Sequence, residues 1–217
     1  SRPPNQVHTM KETRLYLITP PKIDLDSFSI NLSDALEGGD IASVQLRMKE
    51  CYDEDIIKAA RTLMPICHAK DVAFIINDRP DIAAKVGADG VHIGQEDQSY
   101  NETRALLGDN KIIGVTCKDS RHLAMLAGEQ GADYVAFGSF FPTTTKITTS
   151  SAKPEILTWW QELFEIPCVA IGGINIENAN VIAEAGADFV AVCSAIWDHK
   201  NGPKEAVKEL NQAIHRI

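Results

Sequence analysis

The sequence lacks what several functional classes require. No apolar run approaches the roughly 18 to 20 residues that a membrane-spanning helix needs. The opening SRPPNQVHTMKET is polar and proline-containing, without the apolar segment of a secretory signal, so residues 1–12 read as a loose arm ahead of a folded 13–217. Cysteine is sparse: Cys51, Cys67, Cys117, Cys168 and Cys193 are odd in number, far apart and contain no CxxC pair. That favours free thiols in a reducing compartment, the cytoplasm, over a disulfide framework or zinc site. Basic residues are outnumbered, 21 against 30, and the formal net charge of -9 argues against general nucleic-acid binding. An anion site in such a chain must be a local positive pocket. No glycine-rich P-loop is present, and no linker or shift in composition divides the chain.

What is there suits a folded domain. At 217 residues, 44% hydrophobic and 24% charged, the chain can bury a sizeable core and is not a disordered segment. The tripeptide GAD occurs three times, at Gly87-Ala88-Asp89, Gly131-Ala132-Asp133 and Gly186-Ala187-Asp188. Each follows an alanine-rich or amphipathic stretch and precedes a β-branched or aromatic run. A glycine there can take the left-handed cap that ends a helix before the chain enters a strand. Reading outward from these joints gives strands at 14–19, 41–47, 72–77, 89–94, 111–116, 133–138, 167–172 and 188–194. Helices are predicted at 30–38, 53–69, 79–86, 100–107, 119–130, 155–164, 177–185 and 203–216. Most strands are nearly continuous apolar runs, as in parallel sheets buried on both faces. Eight alternations in about 200 residues fit a (β/α)8 TIM barrel at its compact end. A doubly wound open sheet is the rival, but there polar residues closing the outer strands lie too far apart to cooperate. Arg47, Asn77, Gln95, Thr116, Ser139, Gly172 and Ser194 close seven of the strands, and a barrel converges them on one mouth.

Four constellations lie at those strand ends. In QLRMK (45–49), alternation puts Gln45, Arg47 and Lys49 on one side, where a guanidinium and an ammonium can share a polyphosphate; a strand running into solvent has the same letters. Asp78 after strand 3 and Asp97 after strand 4 can reach one cation, and magnesium takes one or two carboxylates with water and phosphate oxygens. Each aspartate alone is also an ordinary loop or capping residue. In AIGGI (170–174), Gly173 lets an anion approach the main chain, near Cys193 and Ser194 at the end of strand 8; a tight turn uses glycine equally. FPTTTK (141–146) sets Thr143, Thr144 and Thr145 beside Lys146 in the longest helix-free connection, 139–153. His92 reads as a hydrogen-bonded core residue, Trp159 and Trp160 as a packed helix face, and His68, His122, His199 and His215 as solvent-facing.

Taken together, QLRMK, INDRPDIA, GADGVHIGQED, GVT, TTTK, AIGGI and CSAI closely resemble the thiamine-phosphate synthase family, in order from about residue 14 to 196. The resemblance implies a (β/α)8 barrel that joins hydroxymethylpyrimidine diphosphate to thiazole phosphate with release of pyrophosphate. By position it implies that Gln45, Arg47, Lys49, Asn77, Thr116 and Lys146 hold the pyrimidine diphosphate. It assigns magnesium, Mg2+, to Asp78 and Asp97, and the thiazole phosphate to Thr143, Thr144, Thr145, Gly173, Cys193 and Ser194. Lys146, Arg47, Lys49 and Thr116 are then the catalytic set. The implied partners are small-molecule substrates, with no nucleic acid or membrane; a homo-oligomer stays open. Some positions depart from the pattern. Thr116 replaces the usual serine, Pro20 an aspartate, Cys193 an aliphatic residue, and 147–157 lacks a glycine-containing segment. Lys118 stands where histidine is common, which disfavours the related thiazole tautomerase. Two rivals use the same fold: a Schiff-base aldolase built on Lys146, and a non-catalytic barrel that senses a phosphorylated metabolite.

Overall fold

The computed structural model describes residues 12–143 and 151–215. Eight parallel strands, β1 (Arg14–Ile18), β2 (Ile41–Leu46), β3 (Ala73–Asn77), β4 (Gly90–Ile93), β5 (Ile112–Lys118), β6 (Tyr134–Phe137), β7 (Cys168–Ala170) and β8 (Phe189–Val192), close into a barrel in chain order. Closure is direct: Arg14 to Leu17 pair with Phe189 to Val192. Around it lie α1 (Leu25–Leu36), α2 (Asp53–His68), α3 (Pro80–Val86), α4 (Tyr100–Leu107), α5 (Arg121–Gln130), α6 (Glu155–Leu163), α7 (Ala179–Glu184), α8 (Ser194–Trp197) and α9 (Pro203–Ile214).

The expected alternation is present, with two differences. Helix α1 starts at Leu25, well before the expected residue 30, because the Asp24 carboxylate accepts from the Ser27 backbone N–H at 3.1 Å and caps it. Helix α8 is an addition to the expected set, since one turn is too short to show periodicity. It is pinned by Trp197, whose indole N–H donates to the Ile18 carbonyl at 2.7 Å and whose ring meets Phe28 edge-on.

The three GAD joints do more than end helices. Gly87, Gly131 and Gly186 have φ of 70°, 102° and 110°, where a side chain is strained. The alanines are buried, and each aspartate clamps the preceding strand twice. Its backbone N–H donates to a carbonyl, and its carboxylate accepts the N–H of that same residue: Phe74 for Asp89, Ile113 for Asp133, Cys168 for Asp188. The clamps join β4 to β3, β6 to β5 and β8 to β7 at the N-terminal end of the barrel. A 3.6-residue stripe on each helix and one face of each strand form the outer core, with Phe74, Phe137 and Trp160 fully buried. The interior core is separate and smaller: Tyr16, Ile18, Tyr134, Ala136, Val169 and Ala191.

Candidate active site

The C-terminal strand ends gather most of the expected residues. Thr19, buried just past β1, accepts the Arg47 backbone N–H through its hydroxyl at 2.9 Å, which fixes the chain where β2 runs out. From there the half-buried Arg47 and exposed Lys49 leave the sheet. The Lys49 ammonium lies 3.5 Å from the Asp78 carboxylate, so β2 and β3 contribute opposite charges to one place. Asp78 holds a left-handed backbone, φ 63°, a conformation that aspartate tolerates better than most residues. Its N–H donates to the His92 carbonyl at 2.8 Å.

Asp97 comes to the same place from the loop after β4. One of its oxygens accepts the Gly94 N–H at 2.7 Å, and the loop is thereby folded back on itself. Burial, then the hydrogen bond with Asp78 and its charge, push the Asp97 carboxyl above the usual carboxylate range, against the pull of Gly94 N–H and Lys49. Two carboxylates brought this close form a donor set that fits a hard divalent cation, whose charge removes their repulsion. Among the described residues no third His, Cys, Asp or Glu joins them, so the rest of such a shell falls to water and ligand oxygens.

Beneath the mouth, the barrel is crossed by a hydrogen-bonded chain. The Gln45 amide Nε2 donates to Tyr16 Oη at 2.9 Å, Tyr16 Oη meets Tyr134 Oη at 2.7 Å, and Tyr134 Oη meets His92 Nδ1 at 2.8 Å. His92 Nε2 then meets Thr116 Oγ1 at 2.7 Å. Burial lowers the His92 pKa to about 4, so the ring is neutral at pH 7, and burial raises Tyr16 to about 12 and Tyr134 well above the ordinary tyrosine value. His92 is the core histidine expected, stacked on Tyr134 with 5.7 Å between ring centres. Room for the Tyr134 ring comes from Gly114, where a Cβ would lie 1.9 Å from Tyr134 Cζ. Gln45 is therefore 3% exposed and engaged one layer below the mouth rather than open to it. Above it, the Gln95 amide donates to the Thr116 carbonyl at 2.6 Å.

The other side of the mouth joins the segments after β6, β7 and β8. Phe140 N–H donates to Ile171 O at 3.2 Å and Phe141 N–H to Gly172 O at 3.1 Å, so the start of the FPTTTK loop runs alongside AIGGI. A Cβ on Gly173 would meet Pro142 O at 2.6 Å and Phe141 O at 2.8 Å. The opposing backbone thus fills the face that a side chain would occupy. What Gly173 provides is the close approach of the two loops just ahead of Thr143. Ser194 opens α8 and is exposed, and the half-buried Cys193 thiol donates to the Thr19 carbonyl at 3.5 Å.

Asn77 ends β3 facing the mouth, paired with His92 in the ladder. Thr144, Thr145 and Lys146 lie outside the described residues. Of the helix histidines, His122 is exposed and His68 and His215 mostly so, whereas His199 is largely covered and bonds Glu209 at 2.8 Å. An open cleft of about 560 Å³ lies at the opposite end of the barrel, lined by His68, Asp71, Asp89 and Lys111 among others. Its His68–Asp89 pair is already engaged at 2.7 Å, and barrel chemistry belongs to the C-terminal face. Sequence reasoning missed Tyr16, Tyr134 and Thr19. The alternation of Tyr16 and Tyr134 with aliphatic neighbours was the available signal, since a buried tyrosine hydroxyl needs a partner.

Known proteins resemble this chain over nearly its whole length. The family model described as thiamine monophosphate synthase matches residues 15–196. A thiamine-phosphate synthase of Rhodospirillum centenum is 58% identical over 94% of this chain and 99% of its own, and that of Hyphomonas neptunium is 49% identical over 94% and 95%. A solved thiamine phosphate pyrophosphorylase from Pyrococcus furiosus superposes with a TM-score of 0.80 at 34% identity, covering 93% of this chain and 95% of that one. Orotidine 5'-phosphate decarboxylase from Pyrococcus horikoshii, at 16% identity and a TM-score of 0.67 over 93% and 100%, shares the fold alone. By a match spanning nearly the whole folded chain, this protein belongs to the thiamine monophosphate synthase family.

Proposed function

We propose that the barrel mouth joins hydroxymethylpyrimidine diphosphate to thiazole phosphate and releases pyrophosphate, as a transferase. The observation that carries this reading is the meeting of Lys49, Asp78 and Asp97 beside Arg47 and Thr116 at one end of the barrel. Arg47, Lys49, Asn77, Thr116 and Lys146 hold the diphosphate, with Gln45 set beneath them. Asp78 and Asp97 hold magnesium, which when bound neutralises charge on the diphosphate and so eases departure of pyrophosphate. Lys49, paired with Asp78 in the protein alone, exchanges that partner for phosphate oxygens when substrate enters. Thr143, Thr144, Thr145, Gly173, Cys193 and Ser194 hold the thiazole phosphate on the other side, where Gly173 also lets the two loops approach closely.

The chemistry asks for positioning and charge more than for a base. An aminopyrimidine stabilises the methylene cation left as pyrophosphate departs, and the thiazole nitrogen attacks without losing a proton. A site with cations and hydroxyls, and with His92 neutral and bonded at both nitrogens, suits that reaction. All five cysteines are free thiols, which supports work in the cytoplasm. Among the described residues no helix is long and apolar enough to cross a membrane.

Pyrophosphate release, measured with both substrates, with either alone, and with excess chelator, tests the reading. Release that needs both substrates and returns on adding magnesium is expected. Full release in chelator removes the metal from the mechanism, and no release under any condition overturns the activity.

A further inference from the structure

We infer that Tyr134 and His92 are positioning residues for this reaction: the chain from Gln45 to Thr116 runs in one direction and leaves the Thr116 hydroxyl hydrogen as a fixed donor at the mouth. The inference rests on the reading that Thr116 contacts the pyrimidine diphosphate.

The direction follows from counting hydrogens. An amide nitrogen only donates, so Tyr16 Oη accepts from Gln45 Nε2. The single Tyr16 hydrogen then goes to Tyr134 Oη, and the Tyr134 hydrogen to His92 Nδ1. A neutral imidazole that accepts at Nδ1 carries its hydrogen on Nε2, and that hydrogen goes to Thr116 Oγ1. Reversal would bring a second donor to Tyr16 and strand its own hydrogen, although the residue is 3% exposed. A buried donor without an acceptor is costly, so the forward direction holds.

Thr116 therefore spends an acceptor position on His92 and keeps its hydrogen. Among the described residues, Oγ1 has no other partner, and Thr116 is the half-buried upper end of the chain. Its branched side chain restricts rotation about χ1 more than serine would. Held on one side by His92, the hydroxyl meets an anion as a donor with little left to reorganise. Tyr134 is itself packed closely, stacked on His92 and seated over Gly114. The bond from Tyr134 to His92 selects the imidazole tautomer, and the tautomer selects the role of Thr116.

Nitrogen-15 spectra of histidine-labelled protein read the tautomer directly. The wild type should show His92 as the neutral Nε2–H form; the Nδ1–H form there overturns the inference, and this measurement needs no variant to fold. Tyr134→Phe removes the donor to Nδ1, so the Nδ1–H form should gain population. Its kcat should fall about tenfold, the worth of one hydrogen bond, with less change in KM for the pyrimidine substrate. Thr116→Val should fall at least as far, and the double variant no further than Thr116→Val alone, because Tyr134 acts through Thr116. Multiplying effects in the double variant, or an unchanged tautomer in Tyr134→Phe, overturn the positioning role. Full turnover in Thr116→Val with the Nε2–H form intact overturns instead the reading of Thr116 as a substrate contact, and this inference with it.

Discussion

Gly114→Ala adds one methyl group to the inside of β5, and its effect can be worked out from the contacts. The new Cβ would lie 1.9 Å from Tyr134 Cζ, 2.2 Å from Cε2 and 2.4 Å from Cε1, where ordinary contact begins at 3.4 Å. The ring must move, yet its hydroxyl is held at 2.7 Å by Tyr16 and at 2.8 Å by His92, and its face stacks on the imidazole. Overpacking of a closed core costs typically about 1–3 kcal/mol. Losing the two buried hydrogen bonds adds about 1 kcal/mol each. The total is roughly 3–5 kcal/mol, whereas alanine for glycine in an unobstructed strand would gain about 0.5–1 kcal/mol. At about 2–4 °C per kcal/mol for a chain of this size, Tm should drop on the order of 10 °C. Calorimetric unfolding of wild type, Gly114→Ala and Gly114→Ala with Tyr134→Leu decides. The smaller, hydroxyl-free partner should recover part of the loss. A Gly114→Ala protein as stable as wild type would refute the picture of a ring locked over this glycine.

Three further outcomes follow from other parts of the molecule. His92, lowered to about 4 in the folded protein against 6.5 when free, is mostly unprotonated at pH 5 whereas the unfolded chain is mostly protonated there. Its contribution is therefore present above pH 6.5 and lost as pH falls towards 4, by about 3 kcal/mol. Urea midpoints at pH 7 and 4.5 should show this fall in wild type and a smaller one in His92→Gln; equal falls in both would discount it. Cys67 and Cys117 are buried with thiols pushed up to about 12, Cys168 is buried, Cys193 is pushed up to about 11, and Cys51 is exposed. Native protein at pH 8 should thus take up one iodoacetamide quickly, at Cys51 by peptide mass, and rapid labelling of a buried cysteine would contradict the packing. Asp97→Asn should weaken magnesium and the pyrimidine diphosphate while sparing the thiazole phosphate, and Ser194→Ala should weaken the thiazole phosphate by roughly one to two decades, for a charged hydrogen bond worth about 1.5–3 kcal/mol. Calorimetric titration in which both variants lose the same ligand would undo the two-sided assignment.

The barrel was legible because its information is local. Apolar strand runs, helix periodicity and the GAD caps each act within a dozen residues, and all eight strands stand where those patterns put them. Where local information is thin, the pattern says less. The start of α1 depends on one cap, Asp24, and the single turn of α8 depends on Trp197 reaching Ile18 and Phe28 at the far end of the chain. The double clamp made by each GAD aspartate is equally invisible to local pattern, because its partner residue lies 15 to 20 positions upstream.

For the site, residue type and strand position were enough to nominate Arg47, Lys49, Asp78, Asp97 and Thr116. Charge chemistry and alternation are written in the letters themselves. Which groups touch was another matter. Gln45 belongs to the interior chain, Gly173 makes room for backbone, and Lys49 rests on Asp78, all through contacts between segments tens of residues apart. The sequence by itself determined the strand count, the parallel class and the chemical inventory, since these follow from hydrophobic period and side-chain identity. Only the closed barrel decided that Tyr16, Tyr134 and His92 meet, because hydrogen bonds are short and directional and exist only once the three strands that carry them have curved to face one another.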